Sequence, residues 1–488
     1  MSSAIFYPTS PKEALLQEYA GKSIRDVPTP AAVINVAAVR RNCERMLQTV
    51  KDLNLGWRAH VKTHKTIEVT RLQVGDDISR PANLIVSTLA EAEFILPLLK
   101  EWTSKGRKVN VVYGLPITSN AVPRLAEVAK VLGEGSISVL LDDPAQLAVA
   151  AELQKISGVA PLAHIKIDMG GRRAGVIEDS ERFLQVANAA LEGHKAGTVV
   201  LSGLYSHAGH SYGGDSRVAA IKMMTAEIEA MLHGADKLRA KAAESGIDLP
   251  TLTVSGGASP TALSVQNLLS GHADVQDKET GTPELQAEVD TLSALFATVK
   301  SRGHAVEIHA GVYPLLDLQQ LAAHSMTASR LSWRDIAFTV VAEVHSTYPG
   351  RGEDGSPEAL IGAGGLALGR ETCKAYSGMA MVSPWGRKGV ELPTCDVEDY
   401  EGWTVGRFSQ EHGILTWATG NGRAGGSSKE ESGPRPQLDM VEVGQKVRLW
   451  PNHACITSSH FGWYFVVDED KAGKEDEIVD VWIKARGW

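Results

Sequence analysis

From residue 57 to residue 309 the sequence alternates short β-branched apolar runs with longer amphipathic stretches, and this alternation constrains its fold more than any other feature. The runs fall at 57–61, 84–87, 109–113, 137–141, 163–167, 199–205, 251–255 and 305–309. Between them, stretches such as 89–99, 121–132, 144–156 and 216–243 carry apolar residues at helical spacing. Eight strands, each followed by helical sequence, are what a (β/α)8 barrel requires. The seventh-to-eighth interval is long and holds an extra helix. It opens at Thr282, Pro283 and Glu284, carries Leu285, Val289, Leu292, Phe296 and Val299, and reads as an insertion.

The flanks differ from this core. Residues 1–27 read as a polar arm with a short helix near 11–19. A strand at 29–34 is closed by Asn35, a candidate N-cap for a helix with Val39, Cys43, Met46 and Val50 on one stripe. Beyond residue 325 short β-branched runs at 338–344, 413–418, 446–449, 463–467 and 478–483 are separated by turns, and convincing helices become scarce. The expected organisation is α/β: a barrel over 28–325, then an all-β domain over 326–488, joined by the arm. Gly362-Ala363-Gly364-Gly365 lacks a strand–loop–helix context and reads as a turn. The Gly-, Ser- and charge-rich run at 420–433 reads as a second insertion, a surface loop.

Composition excludes several function classes. A net charge of −9 disfavours nucleic acid or an anionic membrane surface as the main partner. No run approaches the ~20 apolar residues of a membrane span, and the N-terminal stretch lacks the basic-then-apolar pattern of a secretory signal. Cys43, Cys373, Cys395 and Cys455 are scattered, which suits a reducing, cytosolic compartment.

Barrels keep their chemistry at the carboxyl ends of the strands. The first strand ends in His60-Val61-Lys62-Thr63-His64-Lys65. A lysine at the end of a buried strand is a candidate nucleophile toward carbonyls, although most lysines in such places are simply solvated. The loops after strands seven and eight contain Ser255-Gly256-Gly257 and Ala310-Gly311-Val312. Glycines there let backbone N–H groups approach a phosphate, or they only turn the chain. Two such loops opposite a strand-end lysine point to a phosphorylated aldehyde cofactor, pyridoxal 5'-phosphate. Far downstream, His453 and Cys455 are one residue apart and on an extended strand would face the same way, as a zinc pair does. A core cysteine beside a surface histidine is the bland alternative, and His207 with His210 is a competing ligand pair.

The runs 58–66, 168–175, 203–207, 255–261 and Pro451-Asn452-His453-Ala454-Cys455 together resemble the eukaryotic D-serine dehydratases. Those are zinc- and pyridoxal-phosphate-dependent enzymes of the alanine-racemase-like class, fold type III. The resemblance spans about 28–467. It implies that Lys62, and not Lys65, holds the cofactor as a Schiff base and acts as the catalytic base. It implies cofactor contacts from Tyr205 and Tyr212, phosphate contacts from Gly256, Gly257, Gly311 and Val312, and an arginine, Arg173, near the phenolic oxygen. His453 and Cys455 would ligate zinc. Val312 departs from the polar residue expected there, so its backbone would have to do the binding. The implied reaction is α,β-elimination of D-serine to pyruvate and ammonia by a homodimer. D-threonine and 3-hydroxyaspartate remain open as substrates. A D-threonine aldolase or a non-catalytic pyridoxal-phosphate carrier are the alternatives.

Overall fold

A computed structural model describes residues 7–269, 279–386, 402–418 and 440–488. The 420–433 loop and Cys395 lie outside the described residues.

The eight apolar runs form Gly56–His60, Ala82–Val86, Val109–Pro116, Ile137–Leu141, Leu162–Lys166, Val200–Tyr205, Thr253–Gly256 and Ala305–Ala310. Each pairs in parallel with the next, and the eighth returns to the first with Glu307 opposite Gly56, so the sheet closes into a barrel. Parallel strands are buried on both faces, which is why they read as nearly continuous apolar runs. Helix Pro283–Ser301, capped by the Thr282 hydroxyl, buries Leu285, Leu292, Phe296 and Val299 against helix Arg217–Glu244 and the eighth strand. It therefore occupies the ordinary position of a barrel helix rather than that of an insertion.

The second sheet has nine strands among the described residues, in the order Glu358–Ile361, Gly413–Ala418, Gly402–Phe408, Ala380–Val382, Lys446–Pro451, Phe338–Tyr348, Ala31–Asn35, Trp463–Val467, Asp480–Ile483. The division at residue 28 needs correction, because Ala31–Asn35 belongs here. It pairs antiparallel with Phe338–Tyr348 and parallel with Trp463–Val467, through Val33 opposite Thr339 and Phe465. The arm joins the same sheet's edge: helix Lys12–Tyr19 packs on Asp480–Ile483, and Gly21 donates its N–H to the Ile478 carbonyl at 2.9 Å. Asn35 stands at the N-cap of helix Val36–Asp52, but its side chain makes no capping bond and instead accepts from the Glu469 N–H at 3.4 Å.

The barrel floor is polar. Arg58 donates to Glu307 at 2.6 Å and to Asn110 at 2.7 Å; Asn83 and Ser255 also donate to Glu307, and Ser138 donates to Asn110. Burial alone would push the Glu307 carboxyl up, but the Arg58 guanidinium beside it holds it below the usual range. Above this layer lie Ile85, Val112, Leu140 and Tyr205.

Candidate active site

At the mouth of the barrel, a cavity of about 580 Å³ opens between the strand ends and the β domain. Lys62, Arg173, His207, Tyr212, Glu371 and His453 line it. Residues separated by almost four hundred positions thus share one space.

Lys62 follows the first strand in a turn that the β domain grips. Ser458 Oγ donates to the Thr63 carbonyl at 2.7 Å, the Tyr464 hydroxyl to the His64 carbonyl at 3.2 Å, and the Ala485 N–H to the Lys65 carbonyl at 2.8 Å. Lys484, almost fully buried, donates to the Ser458 carbonyl. Lys65 adopts a left-handed φ of 56° and directs its amine to the buried Glu91 at 3.0 Å. The turn therefore sends one lysine into the cavity and the other into an ion pair.

Tyr205 stacks on His309 with ring centroids 4.4 Å apart, and Lys166 Nζ lies 4.4 Å from the Tyr205 centroid. Burial, aided by Arg173, lowers the Lys166 ammonium to about 7. His60, His207 and His309 are held neutral by burial first and by the Lys62 charge second or later. His207 Nδ1 bonds the Gly257 carbonyl at 2.8 Å; a carbonyl only accepts, so Nδ1 carries the proton and Nε2 is left as an acceptor. Its proposed metal partner His210 instead lies beside Gly171, and neither belongs to a three-residue ligand group among the described residues.

The glycine loops meet behind Lys62. Gly311 packs against the end of the first strand: a Cβ there would lie 3.2 Å from His60 Cβ and in ordinary contact with Lys62 Cε at 3.5 Å. Gly257 has φ +145° and a Cβ on it would overlap the His309 carbonyl, so packing itself demands glycine. Val312 buries its side chain, and its N–H donates to Ser259 Oγ at 3.1 Å. Behind Gly256 and Gly257, Glu227 is fully buried and burial raises its carboxyl to about 7. The Ser206 hydroxyl and the N–H groups of Gly257 and Ala208 face that carboxyl, yet neither of its oxygens completes a hydrogen bond.

His453 and Cys455 do not lie on a strand, which corrects the sequence expectation. Strand Lys446–Pro451 stops first, and His453 is the extended N-cap residue of helix Ala454–Ser459. Asp317 fixes this junction: one of its oxygens accepts from the Ala454 N–H at 2.7 Å, the other from the Gln320 N–H at 2.9 Å. The two side chains still converge, because one turn of N-terminal geometry brings the flanking residues together. Burial pushes the Cys455 thiol up, but hydrogen bonds from His453 and Thr63 and the Lys62 charge bring it below its ordinary value. Burial likewise opposes a charge on His453, and Cys455, Asp317 and Glu371 outweigh it, raising the ring to about 9. Thr63 Oγ1 lies 3.0 Å from Cys455 Sγ, directly after Lys62 in the chain. A thiolate-leaning cysteine beside an imidazole is a donor set suited to a borderline-soft divalent ion.

Sequence reasoning missed Thr63, Lys166, Glu227, His309 and Glu371 around this cavity. The Lys166-x-Asp168 strand end was a usable signal for Lys166. The others depend on contacts between distant segments. Among the described residues, the only three-residue group with ligand atoms within 4.8 Å of one another is Glu178, Asp179 and His233. It lies apart from the cavity lining, and Lys237 already binds Asp179.

A parallel barrel followed by an antiparallel β domain defines the alanine-racemase-like class of pyridoxal-phosphate enzymes, and residues 34–275 match the family described as "Alanine racemase, N-terminal domain". Residues 337–467 match "Putative serine dehydratase domain". The chain is 36% identical to the D-serine dehydratase of Schizosaccharomyces pombe, over 100% of this chain and 98% of that one. It is 29% identical to the D-serine dehydratase of Saccharomyces cerevisiae, over 97% and 99%. Among solved structures, D-threo-3-hydroxyaspartate dehydratase in a cysteine-to-alanine, metal-free form superposes with a TM-score of 0.68 at 25% identity, covering 96% of this chain and 100% of that one. The chain belongs to the D-serine dehydratase family.

Proposed function

We propose that this protein is a pyridoxal-phosphate- and zinc-dependent D-serine ammonia-lyase, which eliminates water from D-serine and yields pyruvate and ammonia. The observation that carries the reading is the single cavity shared by Lys62 and His453, with Cys455 bonded to the residue after Lys62. The residues fit both groups. His309 Nε2 is buried without a hydrogen-bond partner, and Gly257 and Gly311 keep backbone close to Lys62 and His309 where a phosphate-bearing ligand could lie. His453 in the cavity lining and Cys455 beside Thr63 supply nitrogen and sulfur donors, and a solved relative bears the description of a metal-free form.

Pyridoxal phosphate supplies an electron sink for charge at the α-carbon, and zinc supplies a Lewis acid for the departing hydroxyl. Lys62 would hold the cofactor covalently, and once the substrate's amino group has displaced it the freed lysine amine would take the α-proton. Gly256, Gly257 and Gly311 offer a cradle for the phosphate, and the Val312 N–H contributes once Ser259 Oγ yields it. Tyr205 stays protonated because burial raises its hydroxyl, and Tyr212 does so for the same reason. Arg173 places a permanent positive charge at the cavity wall. His453 and Cys455 would hold the ion, and two protein donors fall short of the four that a closed structural site needs. The carbon–oxygen bond would break, the departing hydroxyl would take up a proton equivalent to the one Lys62 removed and leave as water, and the released enamine would hydrolyse to pyruvate and ammonia.

The expected working form is a cytosolic homodimer; light scattering of the purified protein tests the stoichiometry. No helix among the described residues is long and apolar enough to cross a membrane. The activity is tested by incubating the protein with D-serine, L-serine and D-threonine and identifying the products. Pyruvate from D-serine alone of the serine enantiomers supports the reading. Glycine plus an aldehyde from D-threonine would replace it with aldol cleavage.

A further inference from the structure

We propose that Glu371 is a positioning residue that fixes the His453 imidazole for zinc, an inference that rests on the zinc reading above. Glu371 Oε2 lies 3.3 Å from His453 Nδ1. A carboxylate accepts hydrogen bonds, so Nδ1 keeps its proton, and an ion that binds this ring would take the place of the Nε2 proton. Ligating histidines generally donate their other ring N–H to a carboxylate or carbonyl, which sets the tautomer and the ring orientation.

Glu371 is held in register with the motif it serves. Asn452, the residue before His453, donates to the Glu371 carbonyl at 3.0 Å and to the Gly378 carbonyl at 2.9 Å. Gln319 donates to the Thr372 carbonyl at 2.9 Å, on the residue after Glu371. The segment from 371 onward is thus tied both to the turn carrying His453 and to the barrel side of the cavity. Within the cavity lining Glu371 is the one acidic side chain, among Lys62, Arg173, Lys374 and two histidines.

Glu371 does not act as a third ligand. The ligand atoms of Glu371, His453 and Cys455 do not all lie within 4.8 Å of one another, whereas His453 is in contact with both. The carboxylate therefore meets the ring at Nδ1 without forming a three-residue ligand group with the thiol.

The test compares wild type, Glu371→Ala and Glu371→Gln for zinc affinity, by competition with a chelating indicator on cofactor-loaded protein. Thermal unfolding of the zinc-free proteins is measured alongside, and Glu371 is exposed enough that truncation leaves the fold intact. Glu371→Ala is expected to bind zinc roughly 10- to 100-fold more weakly. Glu371→Gln keeps an acceptor oxygen for Nδ1–H and is expected to recover most of that loss. Equal zinc affinity in wild type and Glu371→Ala overturns the inference while leaving the zinc reading in place. A Gln variant as poor as the Ala variant also overturns it, because a ligand role would behave that way. Wild-type protein that binds no zinc removes both.

Discussion

The barrel floor and the barrel mouth are both rich in buried polar side chains, and they differ in how those groups are satisfied. On the floor, Arg58, Asn83, Asn110, Ser138, Ser255 and Glu307 form a connected network in which each makes a hydrogen bond to another member. At the mouth, both Glu227 oxygens, Ser206 Oγ and His309 Nε2 are buried without a hydrogen-bond partner. A buried polar group left unpaired costs about 1–3 kcal/mol, so a protein retains several at one place only when something else pairs them. The floor network is held by its own members, and the mouth leaves polar atoms that a bound ligand would meet under the proposed function. Burial and polarity alone do not distinguish them; the floor is knit around the Arg58–Glu307 ion pair, although His164 Nδ1 beside that pair is also left without a partner.

That distinction predicts that mouth residues control chemistry and floor residues control stability. The largest effect belongs to Lys62→Ala. It should lower pyruvate formation from D-serine by roughly 10⁴-fold and remove the borohydride-trapped cofactor adduct from the peptide containing residue 62, with an unchanged urea midpoint. A large loss of stability in this variant would break the comparison.

Next is metal removal. Chelation, or His453→Ala, should reduce D-serine elimination by roughly 10²- to 10³-fold while sparing β-chloro-D-alanine, whose chloride departs without a Lewis acid. Equal loss on both substrates would show that the His453–Cys455 wall does not act on the leaving group.

On the floor, Glu307→Gln leaves Arg58 buried without its counter-charge. Urea unfolding should register a loss of about 3–5 kcal/mol, with kcat per folded molecule nearly unchanged. A kcat collapse at full stability would place the floor in the catalytic machinery.

The smallest effect sharpens the contrast at Glu227. Its folded-state carboxyl is raised from the ordinary 4.5 to about 7 by burial. The unfolded chain releases this proton first, so the contribution is full below pH 4.5 and is lost as pH rises toward 7. Glu227→Gln should flatten that part of the stability–pH curve of the cofactor-free protein. An identical slope in wild type and variant would mean the carboxyl is already ionised and paired.

What the sequence made legible follows physical range. The eight barrel strands were readable because parallel strands buried on both faces must be short apolar runs, each set off by an amphipathic helix. The place of Lys62 at the barrel mouth was readable because it lies just beyond the end of the first of them. The geometry of His453 and Cys455 was misjudged: Pro451 and Asn452 mark a strand end, and alternation was carried two residues too far. Strand Ala31–Asn35 was recognised as a strand, but its place in the second sheet depends on pairing with residues more than three hundred positions away. Glu371 has no local signature, since its partner lies 82 positions downstream.

The grip on the lysine turn has a consequence for the timing of assembly. All eight barrel strands have been synthesised once residue 310 has emerged, so the barrel can close early. The carbonyls of Thr63, His64 and Lys65 wait for Ser458, Tyr464 and Ala485, which are made much later. A nascent chain with a finished barrel therefore carries its reactive amine on an unfastened turn. Under the proposed function the lysine turn would be fastened only by late-made residues, and the site would be complete only after they fold onto it.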